Sequence, residues 1–119
     1  MKYLFLLHSP HGPSTDPDSA EYADNVAAYG AMQNQMIEAG VLIDCQPLYP
    51  VSASTTVRVR DGEAILTDGP AAEIKEQVGG YIVVECADLD EALKWATMVP
   101  AAQDGWVEVR PVIPVGKPA

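Results

Sequence analysis

The dipeptide Asp61-Gly62 constrains the fold of this chain more than any other short feature. It lies between two stretches of alternating side chains, and its residues favour the positive-φ turn of a tight β-hairpin. A two-residue turn fixes the pairing, so Arg58 should lie opposite Ile65 and Val57 opposite Leu66. The predicted core face comprises Val57, Val59, Ala64 and Leu66, and the other face comprises Thr56, Arg58, Arg60, Glu63, Ile65 and Thr67. Because Ile65 lies among arginines and threonines, we expect a partner subunit to cover part of that second face.

Apolar runs on either side of this unit predict further strands. Residues 2–7 read as a buried first strand, residues 41–43 as a second, and residues 81–86 as a central one. Trp106 begins a last strand, in which apolar and charged residues alternate. Prolines interrupt residues 112–119, which we expect to form an extended tail.

Two helices are predicted between the strands. Asp16 should cap the first helix, with Pro17 at its first position and Gly40 at its end. Asp88 and Glu91 have the spacing of a capping box at the start of the second. Apolar residues recur at helical spacing along the first helix, at Tyr22, Val26, Tyr29, Met32, Met36 and Ile37. Of these, Tyr22, Val26, Tyr29 and Met36 are its predicted core face, and the alternative is that Tyr22 and Tyr29 present their hydroxyls to a cleft.

This order of elements indicates an α+β fold. With the hairpin as an insertion, the remaining strands and helices follow the split β-α-β pattern of ferredoxin-like folds. A chain of 119 residues can bury one hydrophobic core, so we expect a single domain over residues 1–119.

Charge and apolar composition exclude several classes of partner. Seventeen acidic residues against seven basic ones give a formal net charge of −10, which disfavours nucleic acids and anionic membranes. The first apolar stretch, residues 3–7, is far too short for a signal-peptide core or a membrane span. Cys45 and Cys86 show no CxxC spacing and read as reduced, buried thiols. We therefore expect a cytoplasmic protein.

The segment from Thr67 to Tyr81 reads TDGPAAEIKEQVGGY. It resembles the signature of the DGPF-type branch of the YCII-related family, which typically reads DGPFAETKEQLGGYY. Ala71 stands where the family usually has phenylalanine, and Ile74 where it has threonine. The resemblance extends to residues 1–7, 55–62, 88–95 and 107–112, and so covers nearly the whole chain.

The resemblance implies a ferredoxin-like dimeric α/β barrel. In this arrangement two sheets pack face to face across a two-fold axis and leave a cleft near the interface. DGPF-type proteins are often encoded near extracytoplasmic-function sigma factors, which implies a protein partner in transcription regulation. Some relatives are proposed to use a histidine near the start of the first helix together with an aspartate. The only histidines here are His8 and His11, so that dyad cannot be carried over.

The polar residues around the Asp-Gly-Pro turn are the candidate site. Asp68 or Glu73 could act as a general acid or base, and Arg58, Lys75 and Tyr81 could bind a ligand. The alternative for Asp68 is a purely structural turn, because aspartate accepts local backbone hydrogen bonds. A surface ion pair would likewise explain Lys75 beside its neighbouring carboxylates.

His8 and His11 form an HxxH pair near Asp16 and Asp18. On an irregular loop this spacing fixes no coordination geometry, so we predict neither a metal nor an organic cofactor.

Three functions remain open from the sequence. The first is a homodimer that binds a small polar or anionic ligand in an interface cleft, with the sigma-factor-linked regulatory setting that the family resemblance implies. The second is a small cofactor-independent enzyme that uses Asp68 or Glu73. The third is a pure dimerisation module.

Overall fold

The computed structural model of the chain describes residues 1–9, 16–70 and 77–116. These residues form six strands, three α-helices and a short 3-10 turn at Val51–Ala53. The strands are β1 (Lys2–Ser9), β2 (Leu42–Pro47), β3 (Thr55–Arg60), β4 (Glu63–Asp68), β5 (Gln77–Glu85) and β6 (Trp106–Pro111). The helices are α1 (Ala20–Glu38), α2 (Leu89–Ala96) and α3 (Ala101–Asp104).

Four of the strands form one antiparallel sheet in the order β2-β5-β1-β6. Strand β1 pairs with both β5 and β6, and β2 pairs with β5 at one edge. This mixture of an antiparallel sheet and helices is the predicted α+β class, and it is consistent with a ferredoxin-like fold.

The hydrophobic core lies on one face of this sheet. Alternate residues of β1 are buried there, and Phe5, which is 0% exposed, lies opposite Ile82 of β5. Met36 of α1 and Ala92 of α2 pack against the same face. Burying an aliphatic or aromatic side chain of this size stabilises a fold by roughly 1.5–3 kcal/mol. The predicted first strand and the predicted central strand at 81–86 both lie inside the sheet, but only alternate residues of each are buried.

The opposite face of the sheet, which we call the open face, carries the intervening residues of the same strands. Leu4 and Leu6 of β1 lie beside Val83 and Tyr81 of β5, and all four remain partly exposed. Near the end of β1 the ring of His8 stacks on Trp106, with centroids 5.3 Å apart. The open face is therefore partly apolar although it lacks the burial of the core face.

Helix α1 begins later than the sequence suggests. Its N-cap is Ser19, whose hydroxyl accepts a hydrogen bond from the Tyr22 amide at 3.1 Å. The predicted cap, Asp16, instead accepts from the Asp18 amide, so Pro17 precedes the helix. A serine supplies the same acceptor as an aspartate, and both residues lie close to the helix start. The prediction for α2 is confirmed, because the Asp88 side chain accepts from the Glu91 amide at 2.9 Å.

The predicted core stripe of α1 is only partly correct. Met32 and Met36 are buried and Tyr29 packs against the core, but Tyr22 and Val26 are exposed. Ile37 is exposed as well. The first half of α1 forms one wall of a cleft and does not pack on the sheet, so its apolar side chains stay accessible to solvent.

Strands β3 and β4 pair with each other in a separate two-stranded sheet, which we call the ribbon. Asp61 (φ 53°) and Gly62 (φ 79°) form its turn, and the pairing is the one that this turn predicts. The predicted core face is wrong, because Val57 is 60% and Leu66 is 68% exposed. Val59 and Ala64 are exposed too. Alternation separates two faces of a strand pair, but here no described element packs extensively on either face.

The ribbon makes the chain extended. The radius of gyration is 16.4 Å, whereas a compact domain of this length would have roughly 13.5 Å. The accessible surface is 8244 Å², about 2,000 Å² more than the roughly 6,200 Å² typical of a monomer of this mass. Part of the excess comes from residues 112–116, where Ile113 and Val115 are exposed.

Two further differences concern segment ends. Strand β2 runs to Pro47, beyond the predicted residues 41–43, and a proline is tolerated there because β2 is an edge strand. The sequence did not predict the short helix α3, which follows α2 and has Gly105 as its C-cap. A Cβ atom on Gly105 would lie 1.9 Å from the His8 carbonyl oxygen, so the chain needs glycine at this close approach. Among the helices that the structure describes, none has the length and apolarity that a membrane crossing requires.

Candidate functional site

A cleft of about 830 Å³ lies between the first half of α1, strand β2 and the start of β5. Val26 and Tyr29 line it from α1, and Leu7 lines it from the end of β1. Pro100 and Ala101 contribute from the start of α3. Most of this wall is apolar, which is typical of a small-molecule site.

Gly80 allows β2 and β5 to meet closely at the cleft. A Cβ atom at this position would lie 3.0 Å from the Gln46 carbonyl oxygen, tighter than ordinary packing. The Gly79-Gly80 pair therefore brings backbone, and not a side chain, to this part of the cleft wall.

Asp44 does not line the cleft, but it is the hydrogen-bond partner of Tyr81, which does. Its Oδ2 accepts a hydrogen bond from the Tyr81 hydroxyl at 2.8 Å, and its Oδ1 accepts from the Cys45 amide at 2.8 Å. The Gln46 side chain donates to the same Oδ1 at 3.3 Å. The hydrogen bond that Tyr81 donates to Asp44, with some desolvation, raises the pKa of Tyr81 above its ordinary value. The phenol therefore stays protonated at neutral pH.

A second polar contact joins α1 to β2. Gln33 Nε2 donates to Cys45 Sγ at 3.3 Å. Burial raises the pKa of the Cys45 thiol, and the Gln33 contact lowers it only in part. Burial also raises the pKa of Tyr29, despite a backbone hydrogen bond from Ala101 that acts in the opposite direction. Both groups are therefore uncharged at neutral pH.

The charged groups among the described residues of the cleft are acidic. Glu21 and Asp24 line it from the first turns of α1, and Asp104 lines it from α3. Among the described residues that line the cleft there is no lysine, arginine or histidine. The site therefore has negative charge at its rim and neutral hydrogen-bonding groups within.

Of the predicted site residues, Tyr81 lines this cleft, whereas Arg58 and Asp68 do not. Arg58 and Asp68 are on the ribbon, where Arg58 is opposite Ile65 and Asp68 is opposite Thr55. Side chains alternate along a strand, so this register puts Arg58 and Asp68 on different faces of the ribbon. Glu73 and Lys75 lie outside the described residues. The convergence of these four residues stays a prediction.

Sequence reasoning missed two polar contacts, the bond of Tyr81 to Asp44 and the bond of Gln33 to Cys45. Asp44 and Cys45 follow the apolar residues 41–43, and an aspartate inside a strand was the available signal, because a half-buried carboxylate needs hydrogen-bond donors. Gln33 gave no such signal, since a glutamine on a helix is ordinarily solvated. Only the packing of α1 against β2 brings it to Cys45.

The described residues contain no cluster of three or more potential metal ligands. His8 Nε2 lies 4.0 Å from Glu108 Oε1 on the open face, away from the cleft. It has no hydrogen-bond partner among the residues that the structure describes. His11 lies outside those residues, so the HxxH pair cannot be placed.

Two comparisons with known proteins bear on the family of this chain, and neither names a reaction. The YCII-related domain matches residues 1–116 of this chain. The chain is also 44% identical over 114 residues to an uncharacterised protein of Rhizobium meliloti (strain 1021), an alignment that covers 94% of this chain and 92% of that protein. With nearly every residue inside the match, the chain belongs to the YCII-related domain family.

Proposed function

We propose that this chain is a homodimeric domain that binds a small polar ligand in the cleft between α1, β2 and β5. The observation that carries the proposal is the cleft itself, which is about 830 Å³ in volume, has a mainly apolar wall and includes Tyr81, whose hydroxyl is held by Asp44. Small-molecule sites have this size, and a few oriented polar groups usually set their specificity.

The position of Tyr81 supports a binding role. Its hydroxyl hydrogen is used on Asp44, so its oxygen lone pairs are left to accept a hydrogen bond from a ligand. Asp44 is itself held by the Cys45 amide and the Gln46 side chain. A group held by several contacts loses little conformational freedom when a ligand binds.

The predicted anionic ligand fits this cleft poorly, because the lining groups that carry charge are carboxylates. Arg58 lies on the ribbon and does not line the cleft. A polar ligand without negative charge is therefore the better match for the cleft.

Two exposed apolar surfaces support the homodimer. The open face presents Leu4, Leu6 and Val83, and the ribbon presents Val57 and Leu66. An isolated two-stranded hairpin is marginally stable in water and needs a surface to pack on. The excess accessible surface of about 2,000 Å² is also of the size that a stable dimer buries. We propose that a second copy covers both surfaces, giving a dimeric α/β barrel with the hairpin as an insertion.

The cleft would then lie close to the dimer interface. The register puts Tyr81 beside Leu6 on the open face, whereas Cys45 lies opposite Ile82 on the core face. The cleft thus extends around the end of the sheet onto the face that a second copy would cover.

Ligand binding can be tested by two-dimensional NMR of the labelled protein with a set of small polar fragments. We expect the shifted amide signals to cluster at Gln33, Cys45 and Tyr81. Tyr81→Phe should weaken the fragments that shift these signals, and Tyr49→Phe, which alters a tyrosine that is 77% exposed, should not. Fragments that shift only ribbon signals would contradict the proposal.

The dimer can be tested by sedimentation equilibrium. The wild type should have twice the chain mass of 12.7 kDa, and Leu66→Asp should shift it towards the monomer. Leu93→Asp is the matched control, because Leu93 is an exposed leucine of α2 outside the proposed interface. A wild-type monomer at micromolar concentration with a cooperative melt would show that the ribbon tolerates exposure to water.

The other functions remain predictions. Asp68 is exposed on β4, and no ribbon residue is among the described residues that line the cleft, so the acid-base alternative gains no support from the cleft. A protein partner in transcription regulation rests on the family resemblance alone.

A further inference from the structure

We infer that the ligand of this cleft carries a positive charge, as an amine or ammonium group attached to an apolar body. The inference rests on the proposed function, because it names the chemical class of the ligand for the same cleft. Charge, hydrogen-bonding capacity and the apolar wall support it separately.

The first argument is the sign of the charge around the cleft. Glu21 and Asp24 line it from α1 and Asp104 lines it from α3, so two separate helices bring negative charge to the cleft. A cation that enters would interact favourably with all three carboxylates, and an anion would be repelled by each. The net charge of −10 adds a long-range field of the same sign.

The second argument is the lack of a compensating cation in the described part of the cleft. The basic residues of the described chain lie on β1, on the ribbon, on α2 and on β6, and none of them lines the cleft. Arg110, for example, pairs with Glu108 on β6. The described lining residues therefore leave the carboxylates for a ligand to neutralise.

The third argument concerns the hydrogen-bonding groups of Tyr81, Gln46 and Gln33, three residues that line the cleft. Tyr81 and Gln46 both donate to Asp44, and Gln33 donates to Cys45. Because these donors are turned onto the protein, the phenolic and amide oxygens are available as acceptors. An ammonium group has three donors and no acceptor, so it complements such a site better than a carboxylate would.

The apolar wall sets the rest of the ligand. Tyr22 and Tyr29 lie along one side of α1, with Val26 between them, and Leu7 lies at the end of β1. Aromatic ring faces attract cations, and the aliphatic side chains favour a hydrocarbon body. An aralkyl or alkyl amine combines both properties.

Three probes of nearly equal shape test the inference: phenethylamine, 2-phenylethanol and phenylacetate, each titrated into the full-length protein and followed by NMR. We expect phenethylamine to bind about tenfold more tightly than phenylacetate at low salt, with 2-phenylethanol between them. The preference for the amine should shrink at 0.5 M NaCl, because salt screens exposed charges.

Variants of the acidic rim provide the second readout. Asp24→Asn combined with Asp104→Asn should weaken phenethylamine binding several-fold and leave 2-phenylethanol unchanged. Asp90→Asn is the matched control, since Asp90 is an exposed acidic residue in the first turn of α2 and does not line the cleft. The melting temperature of each variant shows whether it is folded.

The outcomes separate this inference from the proposed function. If 2-phenylethanol or phenylacetate shifts the cleft signals and binds as tightly as phenethylamine or more tightly, the inference that the ligand is cationic is wrong. The cleft would still be a binding site. An equal loss of amine binding in Asp90→Asn would also overturn the inference, because the long-range field and not the cleft would then be responsible. If no probe at 10 mM shifts the cleft signals, both the inference and the proposed function are wrong.

Discussion

The sheet and the ribbon use the same antiparallel pairing and reach opposite degrees of burial. In β1 alternate residues are sealed into the core, with Phe5 at 0% exposure. In β4 successive side chains also point to opposite faces, yet Leu66 is 68% exposed. Both units satisfy their shared backbone hydrogen bonds. What separates them is the presence of α1 and α2 on one face of the sheet, so burial depends on a packing partner and not on the strand pattern.

The largest expected effect comes from emptying the core of the sheet. Phe5→Ala should lower the free energy of unfolding by roughly 3–5 kcal/mol, because it removes a fully buried ring and leaves a cavity. Urea denaturation followed by circular dichroism measures the loss.

Leu66→Ala is the matched truncation in the ribbon. In dilute monomer it should cost less than about 1 kcal/mol, since most of that side chain is already in water. If a second copy covers the ribbon, this cost should rise with protein concentration, while the cost of Phe5→Ala stays constant. Equal costs at every concentration would break the comparison between the two regions.

Two glycines give the next contrast. Gly105→Ala should cost about 3 kcal/mol, because the new methyl group would overlap the His8 carbonyl oxygen and neither backbone segment can move freely. Gly62→Ala has open space around it but keeps a φ of 79°, so strain of about 1 kcal/mol is expected. Hydrogen exchange should show that the second change affects only ribbon amides. Global loosening in Gly62→Ala would mean that the ribbon supports the sheet.

Alkaline pH should destabilise the sheet region through Cys86. Burial, with the nearby Glu91, raises the pKa of this thiol from 9.0 to about 11. The unfolded chain then ionises first, so the contribution is fully present below pH 9 and is lost as pH rises towards 11, on the order of 2 kcal/mol. The urea midpoint of Cys86→Ala should fall less over this range than that of the wild type. Parallel pH curves for the two proteins would contradict the assignment to Cys86.

A small effect is also expected at the hydrogen bond between Tyr81 and Asp44. Tyr81→Phe should lower the free energy of unfolding by about 1 kcal/mol, since Asp44 keeps its other donors. Tyr49→Phe should change nothing measurable. Urea denaturation of Tyr81→Phe and Tyr49→Phe shows whether the bond between Tyr81 and Asp44 also stabilises the sheet. A decrease in the free energy of unfolding of more than about 3 kcal/mol in Tyr81→Phe would indicate a structural role.

Features set by neighbouring residues were predictable from the sequence. The cap at Asp88, the turn at Asp61-Gly62 and the buried strand from Tyr81 each depend on a few adjacent side chains. Even the error at α1 was local, because Ser19 and Asp16 both offer an acceptor near the helix start.

Features set by distant packing were not predictable in this way. The contact of Gln33 with Cys45 and the clamp of Tyr81 on Asp44 join residues that are far apart in the chain. The exposure of Leu66 follows from the position of the whole ribbon, which no local pattern records. Tyr81 was predicted to bind a ligand, which stays a prediction, and it lines the cleft, but the carboxylate that orients it was not predicted.

The ribbon also has a consequence for how copies of this chain avoid aggregation. Within the described residues β3 and β4 each keep one unpaired edge, and such an edge can template open-ended addition of strands. Arg58 and Arg60 place charge along β3, and the Arg60 guanidinium donates to the Val59 carbonyl oxygen at 2.9 Å. One edge acceptor is thereby occupied by the chain itself. A charged, partly self-capped edge disfavours fibre growth and still permits a closed pair of subunits.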